Sequence, residues 1–230
     1  MNKAVVFWSG GKDSAMSLYK AGRDKNLHVT GLVTIFNYED GKSSVHNLPE
    51  KIIEEQSTQI GIPLYKMWVK IAATNTEYEE ALLKIYKNLK KEGIDTVIYG
   101  DLFLEDMKIY RENFAKMAGM KILFPLWKID TKQLMEEFIK CGFKAIVCNV
   151  NRAILNENLL SRPIDQKFMD QMPLGGDPAG ENGEFHTFCF DGPIFQNAVN
   201  YHTGSKHFYS CDLYFDQQLS TRRFCYIDIV

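Results

Sequence analysis

The residue types that bind phosphate occupy six consecutive positions near the start of the chain: Ser9, Gly10, Gly11, Lys12, Asp13 and Ser14. They follow an apolar run at 4–8 and precede a helical pattern at 15–19, which predicts a strand, a glycine loop and a helix. Adjacent glycines let backbone N–H groups turn inward, and the helix adds its unpaired N–H groups and positive dipole end. The stretch therefore predicts a pyrophosphate-binding loop. Lys12 would supply charge, the serines hydroxyl donors, and Asp13 a Mg²⁺ ligand or an orienting carboxylate.

The spacing excludes two commoner nucleotide-binding loops. Val6 stands where a Walker loop has its first glycine, and Asp13 stands where that loop has Ser or Thr. The G-x-G-x-x-G pattern of dinucleotide-binding folds is also missing at this position. Two simpler interpretations stay open. The glycines would serve only close packing in a tight turn, or Asp13 would cap the helix, a role compatible with Mg²⁺ binding.

The S-G-G-x-D-S pattern resembles the PP-loop of the N-type ATP pyrophosphatases. This resemblance implies that the protein cleaves ATP between its α and β phosphates, releases pyrophosphate and leaves AMP on an oxygen of its substrate. Lys12 and Asp13 would then be catalytic as well as ATP-binding, and Asp13 would hold Mg²⁺.

The composition is that of an ordinary globular protein, with 230 residues, 45% hydrophobic and 24% charged. The net charge of −2 argues against a strongly basic face, so stable nucleic-acid binding is not expected. The chain enters a strand at once without signal-peptide features, and no apolar run approaches the ~18 residues of a membrane helix. We therefore expect a cytoplasmic protein without membrane contact.

Cysteine usage fits the same compartment. The five cysteines are odd in number and form no C-x-x-C pair, which predicts buried thiols rather than disulfides or a structural zinc site. They are Cys141, Cys148, Cys189, Cys211 and Cys225.

Strand and helix patterns alternate through the first half of the chain, which predicts a parallel, doubly wound α/β sheet. Strands are predicted at 4–8, 29–36, 64–69, 96–99 and 121–124, and helices at 15–19, 49–60, 76–92 and 105–118. A helix at 131–141 and a strand at 144–150 continue the pattern. The chain then has loop composition over 156–184 and is β-rich from 185 onward.

This change in pattern predicts two domains. Residues 1–125 would form the PP-loop ATP-binding domain, and 126–230 a smaller α+β domain on the substrate side. In the second half, the aromatics are interpreted as sheet core or as a subunit interface, and the latter would make a homo-oligomer. They are Phe208, Tyr209, Tyr214 and Phe215.

Further blocks follow the loop in one order along the chain. They are Tyr99-Gly100-Asp101, residues 145–147, Gly-Glu-Asn-Gly-Glu-Phe-His-Thr-Phe at 180–188, and Asp-Gly-Pro-Ile-Phe at 191–195. With the loop, these blocks resemble the diphthine–ammonia ligase family and its related ATP pyrophosphatases, and the G-E-x-G-E-aromatic-x-T block is the most specific. The resemblance spans nearly the whole chain. The chain differs from the family pattern at 104–108 and at His186, which indicates a separate branch of the family.

The family resemblance implies an adenine-nucleotide α-hydrolase-like domain, a smaller C-terminal domain, and a site between them. It also implies ATP, ammonia and a carboxylate as substrates. In the family that carboxylate is diphthine, on a modified histidine of elongation factor 2, and it becomes an amide. Gly100 and Asp101 would lie near the phosphates.

The substrate side is predicted in the second half of the chain. Glu181 and Glu184 would orient ammonium, accept its proton or hold a metal, with a polar surface turn as the alternative. His186 is either a general base near neutral pH or a hydrogen-bonded strand residue. Asn149 and Asn151 would contact substrate at a strand's carboxyl end or cap the turn there. The predicted substrate-binding set is Asn149, Asn151, Gly180, Glu181, Glu184, His186 and Thr187, and Glu184 is also predicted to be catalytic.

Three functions compete for this pattern. The first is an ATP-dependent amide ligase that uses ammonia. The second is a PP-loop enzyme that modifies an RNA base or another small carboxylate or carbonyl compound. An RNA substrate is disfavoured because the sequence has no C-x-x-C cysteine pair and no basic RNA-binding module. The third is a non-catalytic nucleotide-binding module, disfavoured because Lys12, Asp13 and Ser14 are all present.

Overall fold

A computed structural model of the protein describes residues 1–215 and 218–230, without the side chains of residues 211–215 and 218–220. The N-terminal half contains a parallel sheet with helices between its strands, so the α/β prediction is confirmed. The sheet order is β3-β2-β1-β4-β5. Its strands are β1 (Asn2–Phe7), β2 (Leu27–Asn37), β3 (Leu64–Val69), β4 (Thr96–Ile98) and β5 (Lys121–Leu123). The helices are α1 (Lys12–Ala21), α2 (Glu50–Ile60), α3 (Asn75–Lys91) and α4 (Glu105–Met117).

Alternate residues of β1 pack on opposite faces of this sheet, as a strand's period of two requires. Ala4 and Val6 join the hydrophobic cluster that contains residues of α1 and α2. Val5 and Phe7 join the cluster that contains Leu82 of α3 and other residues of α3 and α4. Both faces of the central strand are therefore covered by helices, which makes the sheet doubly wound.

The strand order reverses at β1, which pairs with β2 on one side and β4 on the other. Ligands of open α/β sheets bind outside the carboxyl ends of the strands at such a reversal. The loops that leave β1 and β4 carry residues 9–11 and 99–101, so the fold brings the two predicted phosphate-binding segments to one edge.

The C-terminal half forms a separate antiparallel sheet in the order β7-β6-β9-β8. The sequence pattern suggested that β6 continues the parallel sheet, and this expectation is wrong, because β6 pairs antiparallel with β7 and β9. The elements are α5 (Thr131–Lys140), β6 (Lys144–Asn151), a 3₁₀ helix (Glu157–Leu159), α6 (Gln166–Asp170), β7 (Phe185–Asp191), β8 (Thr203–Phe215) and β9 (Gln218–Ile229).

The segment 156–184 is more ordered than its loop composition suggested. It contains the 3₁₀ helix and α6, each preceded by a capping side chain, Asn156 and Asp165 respectively. The division into domains at residues 125 and 126 stays a prediction, and one hydrophobic cluster includes residues of both halves, such as Val6 and Val147.

Several other sequence interpretations concern surface and thiol residues. Among the described residues, no helix is both long and apolar enough to cross a membrane. Cys141, Cys148, Cys189 and Cys225 are free thiols, and the side chain of Cys211 lies outside the described set. Phe208 is exposed beneath Arg152, whereas the ring of Tyr209 stacks on Phe224. The side chains of Tyr214 and Phe215 also lie outside the described set.

Candidate functional site

A cleft of about 800 Å³ opens at the carboxyl ends of β1 and β4. This volume falls in the range of small-molecule pockets in proteins. Its wall combines the loop after β1, the segment after β4, part of the turn between β2 and α2, and the start of β7. The lining includes ten of the sequence-predicted residues: Ser9, Lys12, Asp13, Ser14, Gly100, Asp101, Gly180, Glu181, His186 and Thr187.

The two glycines of the loop are required by close packing as well as by backbone shape. Gly10 has a φ of +82°, which favours glycine, and a Cβ there would lie 2.6 Å from Leu48 Cδ1. A Cβ on Gly11 would lie 2.4 Å from His46 Cε1. The interpretation as a packed turn is therefore correct in part. It does not replace the phosphate-binding interpretation, because the loop also lines the cleft.

Hydrogen bonds of two serine hydroxyls stabilise the shape of the loop. Ser14 Oγ donates to the Gly11 carbonyl at 2.9 Å, and the hydroxyls of Ser9 and Ser14 lie 3.2 Å apart. The backbone N–H of Gly11 donates to Ser9 Oγ at 3.3 Å. The serines thus hold the loop in shape while they line the cleft.

Lys12 and Asp13 form an ion pair beside the loop, with 2.7 Å between Nζ and Oδ2. Lys12 is only 3% exposed, and its Nζ also lies 5.3 Å from the centre of the Phe185 ring. The Oδ1 atom of Asp13 is buried and has no hydrogen-bond partner within the described part of the chain. The helix-cap interpretation of Asp13 is wrong, since the N-cap is Gly11 and no side chain caps the helix.

β7 holds the loop from the opposite side. The backbone N–H of Lys12 donates to Thr187 Oγ1 at 3.0 Å, and the N–H of Cys189 donates to the Gly10 carbonyl at 2.9 Å. Gln56 of α2 completes the connection. Its Nε2 donates to the carbonyls of Gly10 and Cys189, and its Oε1 accepts from Trp8 Nε1. The C-terminal sheet therefore fixes the shape of the N-terminal loop.

The segment after β4 lies directly against the loop. A Cβ on Gly100 would come within 3.1 Å of the Asp13 backbone, so a glycine is needed for this approach. Asp101 Oδ2 lies 2.9 Å from Arg111 Nε, in an ion pair without hydrogen-bond alignment, and the Arg111 guanidinium lies 4.1 Å from the centre of the Tyr99 ring. Arg111 itself lines the cleft.

Glu181 is the carboxylate that the 177–184 loop brings to the cleft. Its Oε1 accepts from the Leu102 backbone N–H at 2.8 Å, and its own N–H donates to Asp177 Oδ2 at 2.7 Å. Burial raises the pKa of Glu181 to about 7, the Leu102 hydrogen bond opposes that rise, and the charge of Asp13 adds to it. Glu181 is therefore poised to exchange a proton near neutral pH.

Glu184 does not line the cleft, so the geometry gives no support to its predicted catalytic role. It is 2% exposed, and its Oε1 accepts from the Asp177 backbone N–H at 2.9 Å and from Asn182 Nδ2 at 3.4 Å. The loop turns at Gly180 and Gly183, whose φ angles are +72° and +83°. These contacts place Glu184 inside the loop and Glu181 on its cleft side.

The two asparagines are also placed away from the cleft, because β6 lies in the antiparallel sheet. Asn149 is fully buried, and its Nδ2 donates to Tyr209 Oη at 2.9 Å. Asn151 Oδ1 accepts from the Ala153 backbone N–H at 3.1 Å, so Asn151 caps a turn. Substrate contact by either residue was expected from a parallel-sheet edge that β6 does not have.

His186 lines the cleft together with His46, a residue that no sequence pattern distinguished. The two ring centres are 4.9 Å apart. Burial lowers the pKa of His46 to about 4, and it lowers the pKa of His186 well below its ordinary value, with help from the charge of Lys12. Both rings are neutral near pH 7, so His186 does not have the near-neutral pKa expected of the predicted general base.

Arg111 was missed as a site residue for a different reason. It lies on α4 one turn after Met107, and both residues line the cleft with Tyr110 between them. Spacing of three and four residues defines one helix face, which was the available signal. His46, by contrast, lies in a turn without any periodic pattern.

Comparisons with known proteins identify the family of the chain. Residues 2–122 match the family model described as the diphthamide synthase N-terminal domain, and residues 130–219 match the model described as the diphthamide synthase C-terminal domain. The chain therefore belongs to the diphthamide synthase family.

Curated relatives carry a name consistent with this family. The chain is 23% identical over 227 residues to the diphthine–ammonia ligase of Bos taurus, covering 86% of this chain and 82% of the bovine protein. It is 24% identical to the Danio rerio ligase, covering 86% of this chain and 85% of that protein. The Schizosaccharomyces pombe ligase is 24% identical over 86% of this chain, which spans 36% of that longer protein.

A solved structure with a partial likeness is the U34-tRNA thiolase NcsA from Methanococcus maripaludis with its [4Fe-4S] cluster. It is 18% identical, the TM-score is 0.37, and the match covers 62% of this chain and 59% of that one. This similarity is too low to bear on function.

Proposed function

We propose that the protein is an ATP-dependent ligase that transfers AMP to a substrate carboxylate and then forms an amide with ammonia. The observation that carries the proposal is the shared cleft. Ser9, Lys12, Asp13 and Ser14 of the loop line this cleft together with Glu181, whose pKa is near neutrality. Membership of a family whose named relatives are diphthine–ammonia ligases supports the same reaction class.

ATP would lie in the cleft with its phosphates on the loop. The loop and the amino end of α1 would hold the β and γ phosphates, since a helix amino terminus attracts anions. Ile35, Val69 and Ala73 provide an apolar wall for the base at the ends of β2 and β3. The remaining volume would hold the carboxylate substrate between the α phosphate and Glu181.

Mg²⁺ is implied by ATP chemistry, and one acidic atom fits it. Mg²⁺ in such sites takes one or two protein carboxylates, and phosphate oxygens and waters complete the shell. The buried, unpartnered Oδ1 of Asp13 is a suitable donor. The ion would supply positive charge against the phosphate oxygens. The described residues contain no cluster of three or more metal-binding side chains, so the phosphates would provide much of the coordination.

In the first step, a substrate carboxylate oxygen attacks the α phosphorus. The new P–O bond forms as the bond to the β-phosphate bridging oxygen breaks, and pyrophosphate leaves. Negative charge develops on the pyrophosphate, beside the buried Lys12 ammonium. A charge placed in advance where the transition state needs it lowers the barrier without reorganisation.

In the second step, the ammonia nitrogen attacks the acyl carbon. The C–N bond forms, the C–O bond to AMP breaks, and the nitrogen loses one proton. Glu181 would accept that proton and pass it to solvent, and its pKa of about 7 suits a base that works near neutral pH. AMP leaves with the oxygen that came from the carboxylate.

The proposal is tested by the nucleotide product. Purified protein is incubated with ATP, MgCl₂, ammonium chloride and a panel of carboxylic acids, with elongation factor 2 bearing diphthine as one member. We expect substrate-dependent AMP and pyrophosphate in equal amounts. Substrate-dependent ADP and phosphate would contradict the proposal.

A further inference from the structure

His46 reaches the phosphate-binding loop from a turn between β2 and α2. Its ring packs so closely against Gly11 that a Cβ on Gly11 would lie 2.4 Å from Cε1 and 2.9 Å from Nδ1. The side chain is 9% exposed, and it lines the cleft beside Lys12 and Asp13. His46 therefore belongs to the site, although none of the steps above uses it.

The tautomer of His46 is fixed by its hydrogen bond. Nδ1 lies 2.7 Å from the Thr187 carbonyl oxygen, and a carbonyl only accepts, so Nδ1 carries the proton. Since burial keeps the ring neutral at pH 7, Nε2 carries a lone pair. Within residues 1–215 and 218–230, Nε2 has no hydrogen-bond partner, and it is not among the buried polar atoms that lack both a partner and solvent contact.

A lone-pair nitrogen beside the phosphate loop has a restricted choice of ligand. Phosphate and carboxylate oxygens are acceptors, so they cannot hydrogen-bond to Nε2. Ammonia has N–H groups to donate and a lone pair of its own. His186, 4.9 Å away between ring centres, is neutral as well, so the ring pair does not repel an ammonium ion at this position.

We propose that His46 Nε2 accepts a hydrogen bond from ammonia and holds it beside the activated acyl carbon. This inference rests on the proposed ligase function and names the position of its nucleophile. The ammonia nitrogen keeps its lone pair free for the C–N bond while one N–H points to Nε2. The proton lost in amide formation goes to Glu181, and His46 stays neutral throughout because burial disfavours its charged form.

The variant His46→Asn separates the two ring nitrogens. The asparagine Nδ2 can replace Nδ1–H in the bond to Thr187, whereas nothing replaces Nε2. We expect the KM for ammonium to rise about tenfold, the effect of losing one hydrogen bond, while the Kd for ATP stays within twofold. The exposed His202 provides a matched control, His202→Asn, which should change neither value. An unchanged KM for ammonium in His46→Asn would overturn the proposal, as would a tenfold rise in the Kd for ATP alone, because Nε2 would then contact the nucleotide.

A second measurement does not depend on amide formation. In protein with ¹⁵N-labelled histidines, ammonium chloride should shift the Nε2 resonance of His46, and sodium chloride at equal ionic strength should not. A shift in protein that forms no amide would refute the proposed reaction and keep the binding site. Equal responses to both salts would refute the site, whatever the enzyme makes.

Discussion

Replacing Gln56 by methionine should destabilise the protein strongly, because one side chain satisfies three buried groups. Gln56 is fully buried. Its Nε2 donates to the Gly10 carbonyl at 2.9 Å and to the Cys189 carbonyl at 2.6 Å, and its Oε1 accepts from Trp8 Nε1 at 2.8 Å. Methionine has a similar size but no N–H donor and no carbonyl acceptor, so all three bonds are lost. The Gly10 carbonyl keeps only the bond from the Cys189 N–H.

The magnitude follows from the three groups. The Cys189 carbonyl and the Trp8 N–H lose the partner that Gln56 supplies, at about 1–3 kcal/mol per buried polar group, and the Gly10 carbonyl loses one of its two bonds. Local relaxation lowers the sum, so we expect about 3–5 kcal/mol, a large fraction of an ordinary domain stability of about 5–15 kcal/mol. At about 2–4 °C per kcal/mol for a chain of this size, the Tm should fall by about 6–20 °C.

Urea unfolding followed by circular dichroism measures the effect directly. Gln133 on α5 is exposed, and Gln133→Met makes the same chemical change with an expected effect within about 0.5 kcal/mol. Where Gln56→Met is still folded, the Kd for ATP should rise, because the Gly10 carbonyl is then held by the Cys189 N–H alone. A loss of stability below about 1 kcal/mol would show that the three bonds do not fix the loop as argued.

Three further predictions concern the reaction. Lys12→Met should leave the fold intact and lower turnover about 10²–10³-fold, because it removes a charge placed in advance at the leaving group. The control Lys25→Met changes an exposed lysine and should keep turnover near that of wild type. Equal turnover in the two variants would show that Lys12 has no role in the reaction. At a fixed concentration of neutral ammonia, the rate of amide formation should rise with pH through about 7 as Glu181 loses its proton. Glu181→Gln should remove that rise. If the variant keeps the rise, a group other than Glu181 accepts the proton. The activity of Glu184→Gln should stay within about threefold of wild type, because the glutamine Oε1 can still accept from the Asp177 N–H. Glu184→Ala should lose about tenfold in activity, and the midpoint of its pH profile should fall below 7 because Glu181 becomes more exposed. An inactive Glu184→Gln variant would instead indicate a direct catalytic role for Glu184.

The raised pKa of Glu181 also makes the stability of the folded state depend on pH. Its folded pKa is raised above the ordinary value of a glutamate, so the folded state binds the proton more tightly than the unfolded chain. Its contribution is fully present below the ordinary glutamate pKa and is lost as the pH rises through about 7. Glu181→Gln should therefore flatten the dependence of stability on pH across that window.

Local patterns predicted the N-terminal half well. The Ser9–Ser14 loop, its preceding strand and its helix are adjacent in sequence, so residue types and spacing were sufficient. The doubly wound sheet followed from strands and helices that alternate. The glycines at 61, 93 and 119 that end or follow predicted helices all have positive φ angles.

The errors arose where partners are distant in sequence. Nothing in residues 144–150 shows whether the strand pairs parallel or antiparallel, and the wrong choice placed Asn149 and Asn151 at a ligand edge. Glu181 and Glu184 are three residues apart in a loop that turns twice at glycines, so spacing could not show which carboxylate faces the cleft. His46 enters the site through contacts with Gly11 and Thr187, and the latter is 141 residues away along the chain.

The central claim is that a substrate carboxylate oxygen becomes bonded to AMP. It is tested most directly with a carboxylate substrate labelled with ¹⁸O, incubated with ATP, MgCl₂ and ammonium chloride, followed by mass spectrometry of the products. We expect one ¹⁸O atom in the phosphate of AMP for each amide formed, and unlabelled pyrophosphate. Label in inorganic phosphate together with ADP, or AMP without label, would contradict it.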